Sequence, residues 1–469
     1  MKRVVAVASL SLLIGIVVSG CTTLGTARAK PIPVQARADP GQYVVVTLRN
    51  DPRAQAEHPG STPRGYDAAG RYGVTGNASG QARALEREYG LREVSAWPIA
   101  TLHVHCIMFA LPGAISRATL ITQLGQDRRV ESVQPLNEFN TESEPETLGA
   151  NAQVGSAALP YNDPYARLQV SLRELAVPAA QRRSLGAGVQ VAVIDSGVDI
   201  RHPDLKGQVI ARRNFVDEDD ARFRSDTHGT EVAGVIAAVT DNGIGIAGVA
   251  PAAHVIALKA CWQSAVGPGA VCNSFTLAQA LEAAIVAHAN IVNMSLAGPA
   301  DPLLARIIAI GAAQGVIFVG AAGKPGTADI FPAELDAVLG VDAAEESSGN
   351  SRHLQAPGQD VLTLVPGGHY DFASGSSLAA AEISGIVALM LADRPHLGVA
   401  EIRNVLLHSS HRVDSPAGPI SMVDACAALY NPPAQVSCGV NLTRAHAAAR
   451  ATPSVPAGVP ALPPLPPPH

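Results

Sequence analysis

The stretch that decides the fold is Val191-Ala-Val-Ile-Asp-Ser-Gly-Val-Asp-Ile-Arg-His-Pro-Asp-Leu205, an apolar run that ends on an aspartate. Continuous rather than alternating hydrophobicity is typical of a parallel strand covered on both faces. Asp195 then stands at the carboxyl end of the strand, where open α/β sheets bind their ligands. Taken alone, an aspartate at a strand end is also explained as a cap or a turn residue.

The apolar run that ends at Asp195 is one of five short apolar runs, and helical stretches lie between several of them. They occupy residues 190–194, 255–259, 291–294, 316–320 and 338–341. Strands that alternate with helices favour an α/β fold whose parallel sheet has helices on both faces. We expect this domain to span residues 161–431.

A second motif is Asp226-Thr-His-Gly-Thr-Glu-Val-Ala-Gly-Val-Ile236. His228 begins a helix whose apolar positions, three and four residues apart, face the core. A lone histidine at a helix start is more often a surface residue than a catalytic one.

The third motif is Ala373-Ser-Gly-Ser-Ser-Leu-Ala-Ala-Ala-Glu-Ile-Ser-Gly385. Ser377 stands at the N-terminus of an almost wholly apolar, hence buried, helix that runs to Leu391. The free N–H groups and the dipole at such an end favour a developing anion. By itself, Ser377 is equally explained as a helix N-cap.

The three motifs together resemble the subtilisin family, whose triad has the order Asp, His, Ser. Asn162-Asp163-Pro164 and Asn293-Met294-Ser295-Leu296 resemble that family as well. The resemblance implies a serine endopeptidase that acts on protein or peptide substrates by acyl transfer. Ser377 would be the nucleophile, His228 the general base and acid, and Asp195 the residue that orients the imidazole.

The resemblance also implies a substrate-binding cleft. One wall would be Ser295, Leu296 and Ala297, which pair with the substrate backbone, and the facing wall of the first specificity pocket would be Ala321, Ala322 and Gly323. The family has glycine at the position of Ala297, so we expect a narrower pocket that favours smaller side chains.

Lys324 is the most serious departure from the family pattern, because it replaces the asparagine whose amide donates to the oxyanion. Losing such a donor typically costs about a hundred- to a thousandfold in rate. Ala381, Glu382 and Glu231 are smaller departures, and none of them removes a triad member. An intact triad predicts an active enzyme, and Lys324 supports the rival hypothesis of a pseudoprotease or peptide-binding lipoprotein.

The N-terminus has the pattern of an exported lipoprotein. Residues 1–20 combine a basic start with an apolar run, and small residues immediately precede Cys21. We expect cleavage before Cys21 and lipid on its thiol, which would hold the protein at a bacterial membrane. In a Gram-negative cell this would be the outer membrane. The alternative is an uncleaved anchor, for which the apolar run is short.

The remaining chain divides into further segments. Residues 21–39 are predicted to be a linker, and residues 40–139 a small α+β domain that resembles the inhibitory propeptide of secreted subtilisin-like enzymes. Its expected strands are at 43–48, 102–111 and 130–136, and its helices at 81–89 and 117–126. Residues 140–160 are expected to be an exposed linker, and 432–469 a C-terminal extension with a proline-rich tail.

An exported protein folds in an oxidising compartment, where cysteines form disulfides. We expect one disulfide between Cys261 and Cys272 and another between Cys426 and Cys438, because each pair flanks a short loop. Sequence does not prove this connectivity. Cys106 is left over, and its alternating surroundings favour a small buried core residue.

Composition argues against some other functions. The formal net charge is −6, and no Lys/Arg stripe with interleaved aromatics suggests nucleic-acid binding. The acidic run Asp217-Glu-Asp-Asp220 is a calcium candidate, but its spacing matches no defined calcium loop, so a solvated turn is the preferred interpretation. We therefore expect no cofactor and no metal ligands.

Overall fold

The computed structural model describes residues 22–23, 31–51, 73–113, 115–141, 144–145, 159–264, 269–415 and 418–430. The predicted signal peptide, Cys21, Cys438 and the proline-rich tail lie outside these residues. The helices are α1 (Val34–Ala38), α2 (Gly76–Tyr89), α3 (Arg117–Gln126), α4 (Val170–Glu174), α5 (Val177–Gln181), α6 (Asp220–Ser225), α7 (Thr227–Ala237), α8 (Ser274–Val286), α9 (Pro302–Ala313), α10 (Ser376–Asp393), α11 (Val399–Ser409) and α12 (Ala425–Leu429).

The strands in the same ranges follow the chain in this order: β1 (Thr22–Thr23), β2 (Tyr43–Arg49), β3 (Arg92–Ile99), β4 (Val104–Ala110), β5 (Val130–Pro135), β6 (Glu138–Thr141), β7 (Glu144–Pro145), β8 (Gln190–Asp195), β9 (Val209–Asn214), β10 (His254–Lys259), β11 (Cys261–Gln263), β12 (Ala270–Asn273), β13 (Ile291–Met294), β14 (Leu296–Ala297), β15 (Ile317–Ala321), β16 (Val338–Ala343), β17 (Leu354–Ala356), β18 (Val361–Val365), β19 (His369–Ser374), β20 (His411–Ser415) and β21 (Gly418–Met422).

A ten-stranded sheet forms the centre of the large domain, in the order β1-β9-β10-β8-β13-β15-β16-β17-β21-β20. All neighbours in it are parallel except β20 and β21. Successive residues of β8 alternate between two cores: Val191 and Val193 pack into one, Ala192 and Ile194 into the other. The predicted α/β fold with helices on both faces of a parallel sheet is confirmed.

Helices α7 and α10 cover one face of this sheet, and α8 and α9 cover the other. Helix α10 is buried along nearly all its length, because its residues are apolar or small on every side. Among the described residues it is the one helix long and apolar enough to cross a membrane, and 83% of it is buried inside the protein. It is therefore the core helix of the domain.

The N-terminal domain is an antiparallel sheet in the order β3-β4-β2-β5 with α2 and α3 on one face. Its other face packs on the large domain, where the rings of Trp97 and Phe275 lie 4.6 Å apart, edge to face. The expected strands and helices of this domain are present. Strand β3 was not predicted, because it is partly exposed and contains Pro98, which is uncommon in strands.

Two predicted linkers are partly wrong. Residues 21–39 include α1, whose Ala36 is buried, and Ile32 before this helix is buried as well. Residues 140–160 include the end of β6 and all of β7, which pair with strands of the large domain. Main-chain pairing is largely independent of side-chain polarity, so the polar composition of these segments did not reveal it.

Candidate active site

Asp195 and His228 form a buried hydrogen-bonded pair at the carboxyl end of β8. Asp195 Oδ1 lies 2.7 Å from His228 Nδ1, and the two residues are 1% and 5% exposed. The N–H of Ser196 donates to the same carboxyl oxygen at 2.6 Å. Gly229 lets α7 approach this closely, since a Cβ there would lie 2.5 Å from the carbonyl oxygen of Gly197.

A buried charge pair supports the start of α7. Asp226 precedes the helix and accepts a hydrogen bond from the N–H of Gly197 at 2.7 Å. The same carboxylate pairs with Lys259, which is 2% exposed. Burial raises the pKa of Asp226, and the Lys259 charge opposes that rise. Lys259 ends β10 in register with Asp195 of β8. Sequence reasoning missed it, although a lysine that ends a buried strand is a usable signal.

Ser377 is the second residue of α10, which places its N–H among the donors that lack an acceptor within the helix. Gly375 precedes the helix with φ 139°, a conformation that favours glycine. The Ser377 hydroxyl donates to the carbonyl of Ser295 at 3.0 Å, and the Ser295 hydroxyl donates to the carbonyl of Ser377 at 2.9 Å. These two reciprocal hydrogen bonds hold the N-terminal end of α10 against Ser295, the residue that follows β13.

A chain of buried hydrogen bonds between side chains of α10 and the end of β13 supports this arrangement. Ser384 Oγ donates to Asn293 Oδ1 at 2.8 Å, and Asn293 Nδ2 donates to Ser295 Oγ at 2.9 Å. All three side chains are fully buried. Fully satisfied buried networks of this kind rigidify a site. Ser384 was not predicted as a site residue, and only its spacing of three residues from Ala381 and seven from Ser377, one and two helical turns, indicated a shared face.

Two residues of the first predicted wall lie in a short strand that pairs with the N-terminal domain. Leu296 and Ala297 form β14 and pair antiparallel with β6 of the N-terminal domain, Leu296 opposite Thr141 and Ala297 opposite Asn140. On its other edge β6 pairs with β12. Phe139 of β6 is fully buried, with its ring 5.8 Å from that of Phe331. A segment of the chain itself therefore lies in the predicted cleft.

The facing wall approaches the first wall where Gly323 lies near Ala297. The Ser376 hydroxyl donates to the carbonyl of Ala322 at 2.6 Å, which ties this wall to α10. A Cβ on Gly323 would lie 1.9 Å from the carbonyl oxygen of Asp329 and 3.3 Å from Cβ of Ala297. Ala321 is fully buried at the end of β15. Position 323 therefore has no room for a side chain.

Lys324 directly follows this wall and is exposed. Its carbonyl accepts hydrogen bonds from the N–H and the hydroxyl of Thr327, at 3.2 and 2.8 Å. These bonds turn the chain sharply after Gly323. These bonds hold the backbone of position 324, and the residue is exposed to solvent.

The three smaller departures lie on the two helices that carry His228 and Ser377. Ala381 and Glu382 are fully buried in α10. Burial raises the pKa of Glu382 well above its usual range, and the nearby Glu174 and Glu345 carboxylates raise it as well. Burial also raises the pKa of Glu231 on α7, and the charge on His228 lowers it.

Carboxylates of the acidic run bind groups of the protein. Asp219 caps α6 by accepting from the N–H groups of Ala221 and Arg222, and Asp220 pairs with Arg212 at 2.9 Å. Such separate engagements do not fit the convergent oxygen ligands that calcium needs. Within the described ranges no group of three His, Cys, Asp or Glu side chains could hold a metal ion.

The structure joins Cys261 and Cys272 in a disulfide between β11 and β12. Cys426 is buried in α12, but Cys438 lies outside the described residues, so that pairing stays a prediction. Cys106 is a buried thiol of β4, and burial raises its pKa.

Comparisons with known proteins agree with this architecture. Residues 186–431 match the Subtilase family. The chain is 36% identical over 232 residues to an intracellular serine protease of Paenibacillus polymyxa, a match that covers 45% of this chain and 69% of that protein. It is 32% identical over 241 residues to thermitase of Thermoactinomyces vulgaris, covering 49% and 84%.

A similar solved structure is that of fervidolysin from Fervidobacterium pennivorans, a keratinolytic enzyme related to subtilisin. It superposes with a TM-score of 0.64 at 22% identity, over 83% of this chain and 61% of that one. At this identity the likeness shows the fold alone.

Proposed function

We propose that Asp195, His228 and Ser377 carry out the hydrolysis of peptide bonds by this chain. The chain belongs to the subtilase family and is a subtilisin-like serine endopeptidase. The observation that carries this assignment is the buried 2.7 Å pair between Asp195 and His228 beside the helix that begins at Ser376. Together these residues supply a base, the group that orients it and a nucleophile.

Each residue has a defined task in this mechanism. Asp195 accepts a hydrogen bond from the Nδ1–H of His228, which fixes the tautomer in which Nε2 can take a proton. Ser377 gives up its proton to His228 as it attacks the substrate carbonyl. His228 then delivers this proton to the leaving amine. In the second half of the reaction water takes the place of Ser377 as the nucleophile, attacks the acyl-enzyme and releases the acyl group. Side chains and water suffice, so we propose that no cofactor takes part.

The oxyanion would form beside the N-terminus of α10. The N–H of Ser377 and the positive end of the helix dipole both favour negative charge there. Lys324 occupies the position from which the family donates a second hydrogen bond. Its ammonium is a donor too, although on a longer and less fixed stem than an asparagine amide.

The N-terminal domain would act as an inhibitory propeptide. Its strand β6 pairs with both β12 and β14 and fills the cleft that a substrate would need. Further contacts anchor it to α8 and α9. Glu282 accepts hydrogen bonds from the N–H groups of Ala100 and Thr101, at 2.9 and 3.2 Å, and Gln134 donates to Asp301 at 2.8 Å.

We also propose that the protein is exported and lipid-anchored through Cys21, in the outer membrane if the cell is Gram-negative. The basic start, the apolar run and the small residues before Cys21 support this assignment. Mass spectrometry of the membrane fraction should find acyl chains on Cys21. A Cys21→Ser variant should lose them and leave that fraction, and an unchanged distribution would refute the anchor.

A pseudoprotease is the second candidate, and Lys324 is the observation that favours it. Fluorophosphonate labelling separates the two, because the reagent reacts with an activated serine. The purified protein should be labelled, and the Ser377→Ala variant should not. Equal or absent labelling of both proteins would refute the assigned nucleophile and favour a peptide-binding role.

A further inference from the structure

Strand β19 binds a segment of the chain itself close to the proposed nucleophile. Strand β18 pairs with one edge of β19, and β7 pairs with the other, Glu144 opposite Ser374 and Pro145 opposite Ala373. Ser377 follows Ser374 by three residues. Strand β6 comes before β7 in the chain and pairs with β14 in the predicted cleft. A substrate that runs in the same direction has the residues after its scissile bond on β19.

The proline of β7 identifies the main-chain groups of β19 that face this edge. Pro145 has no N–H, so its pair with Ala373 is the kind whose two residues exchange no hydrogen bonds. In an antiparallel ladder the residues on either side of such a pair point their N–H and C=O groups at the neighbouring strand. Phe372 and Ser374 therefore face this edge, and so does Tyr370, which precedes Phe372 by two residues.

The edge of β19 continues beyond β7. Strand β19 begins at His369, and within the described ranges no strand pairs with this edge between His369 and Phe372. The N–H of Phe372 donates to Asp371 Oδ1 at 2.8 Å, so a side chain of the strand satisfies one donor on this edge. The edge of a sheet is a template for the addition of a peptide strand. A substrate that is longer than β7 can therefore extend the pairing along β19.

Asp371 is the carboxylate that such an extended strand meets. It lies two residues from Ala373, at the next pair that exchanges no hydrogen bonds, where facing side chains are closest. Asp371 is exposed. In the hairpin it lies opposite Thr363, whose hydroxyl donates to the carbonyl of Glu231 at 2.6 Å. Glu231 in turn follows His228 by three residues on α7, so the hairpin holds Asp371 beside the helix of the proposed general base.

The charge of Asp371 acts on this helix. Burial raises the pKa of Glu231, the charge on His228 lowers it, and the charges on Asp195 and Asp371 raise it. This influence agrees with the contacts that place Asp371 beside α7.

The other charged residues of the hairpin make its surroundings acidic. The N–H of Asp360 donates to the Ser374 hydroxyl at 2.9 Å, so a second exposed aspartate lies beside β19. Strands β18 and β19 contain no lysine or arginine, and His369 is their one histidine. A cationic side chain on an added strand would gain an opposite-charge pair with Asp371.

We propose that Asp371 selects substrates that carry lysine or arginine on the carboxyl side of the scissile bond. This inference rests on the proposed function. Because Ser374 lies only three residues from Ser377, the substrate residue that pairs with Ser374 is the first or second after the bond. Asp371 faces the third residue after that one. The selected position is therefore the fourth or fifth residue after the scissile bond.

Matched peptides test the selected position with the purified full chain. Fluorogenic peptides that are cut at one bond, identified by mass spectrometry, receive lysine or glutamine at the fourth or fifth residue after that bond. Lysine should raise kcat/KM about two- to fivefold at one of these positions, the effect of an exposed ion pair. The difference should shrink in about 1 M NaCl, which screens such a pair. Equal kcat/KM at both positions would overturn the selectivity.

Variants of Asp371 test the residue itself. Asp371→Asn keeps the shape and the acceptor for the Phe372 N–H, and it should remove the preference for lysine. Asp371→Lys should reverse it, so that glutamate at the same position gives the better substrate. Glu401→Gln, at an exposed glutamate of α11, also removes one negative charge and should retain the preference. A preference that survives both changes at Asp371 would overturn its role.

Fluorophosphonate labelling of the wild-type protein distinguishes the two levels of failure. A protein that is labelled at Ser377 and cuts the peptides, but shows equal kcat/KM for lysine and glutamine, would overturn the selectivity and leave the proposed function standing. A protein that is neither labelled nor able to cut any peptide would overturn both.

Discussion

Replacing Glu174 with glutamine should remove a pH-dependent loss of stability from the peptidase domain. Glu174 ends α4 and lies near two other carboxyl groups, those of Glu345 and of the fully buried Glu382. Burial raises its pKa from 4.5 to about 7, and the Glu345 charge adds to the rise. The folded protein therefore holds this proton more tightly than the unfolded chain does.

The sign and size of the effect follow from linkage. The stabilising contribution of the protonated form is complete below about pH 4.5 and is lost as the pH rises through 7. The difference between 4.5 and about 7 corresponds to about 3 kcal/mol of unfolding free energy between pH 4 and pH 8. Glutamine does not titrate, so the variant should lose this part of the pH dependence.

Urea unfolding at pH 4, 6 and 8 measures the effect, in the Ser377→Ala background so that self-digestion does not interfere. Across this range the free energy of unfolding should fall by about 3 kcal/mol more in the protein that retains Glu174 than in the Glu174→Gln variant. Glu401→Gln, at an exposed glutamate of α11, serves as the matched control. Identical pH slopes with and without Glu174 would refute the reasoning.

Three further predictions concern the cleft. Lys324→Asn should raise kcat by about tenfold or more, because it restores a fixed oxyanion donor. The rate is measured in steady state on a substrate with an uncharged residue before the scissile bond. A fall in kcat would show that Lys324 stabilises the oxyanion itself. Phe139→Ala should weaken docking of the N-terminal domain by about 3 kcal/mol or more, seen as faster hydrogen exchange in β6 of the Ser377→Ala precursor; unchanged exchange would contradict its anchoring role. Replacing Cys261 and Cys272 with serine should cost about 3 kcal/mol, read from urea midpoints, and an unchanged midpoint would contradict a structural disulfide.

The sequence was most informative where burial and chemistry coincide. Continuous apolar runs predicted the parallel strands, since both faces of β8 are covered. The three proposed catalytic residues were predicted because each stands at the end of such a strand or helix, in a motif with restrictive flanks. Lys259 and Ser384 were missed because their contacts join elements far apart in the chain. The pairing of β6 and β7 with the large domain depends on main-chain hydrogen bonds. Such bonds form with almost any side chain, so the amino-acid sequence of these segments did not indicate the pairing.

The most direct test of the central claim compares kcat/KM for wild type, Ser377→Ala, His228→Ala and the double variant. If Ser377 and His228 act as one unit, each single change should lower the rate by several orders of magnitude, and the double variant should lose no more than either single one. Losses that multiply in the double variant, or a single variant that keeps most of the wild-type rate, would contradict the triad.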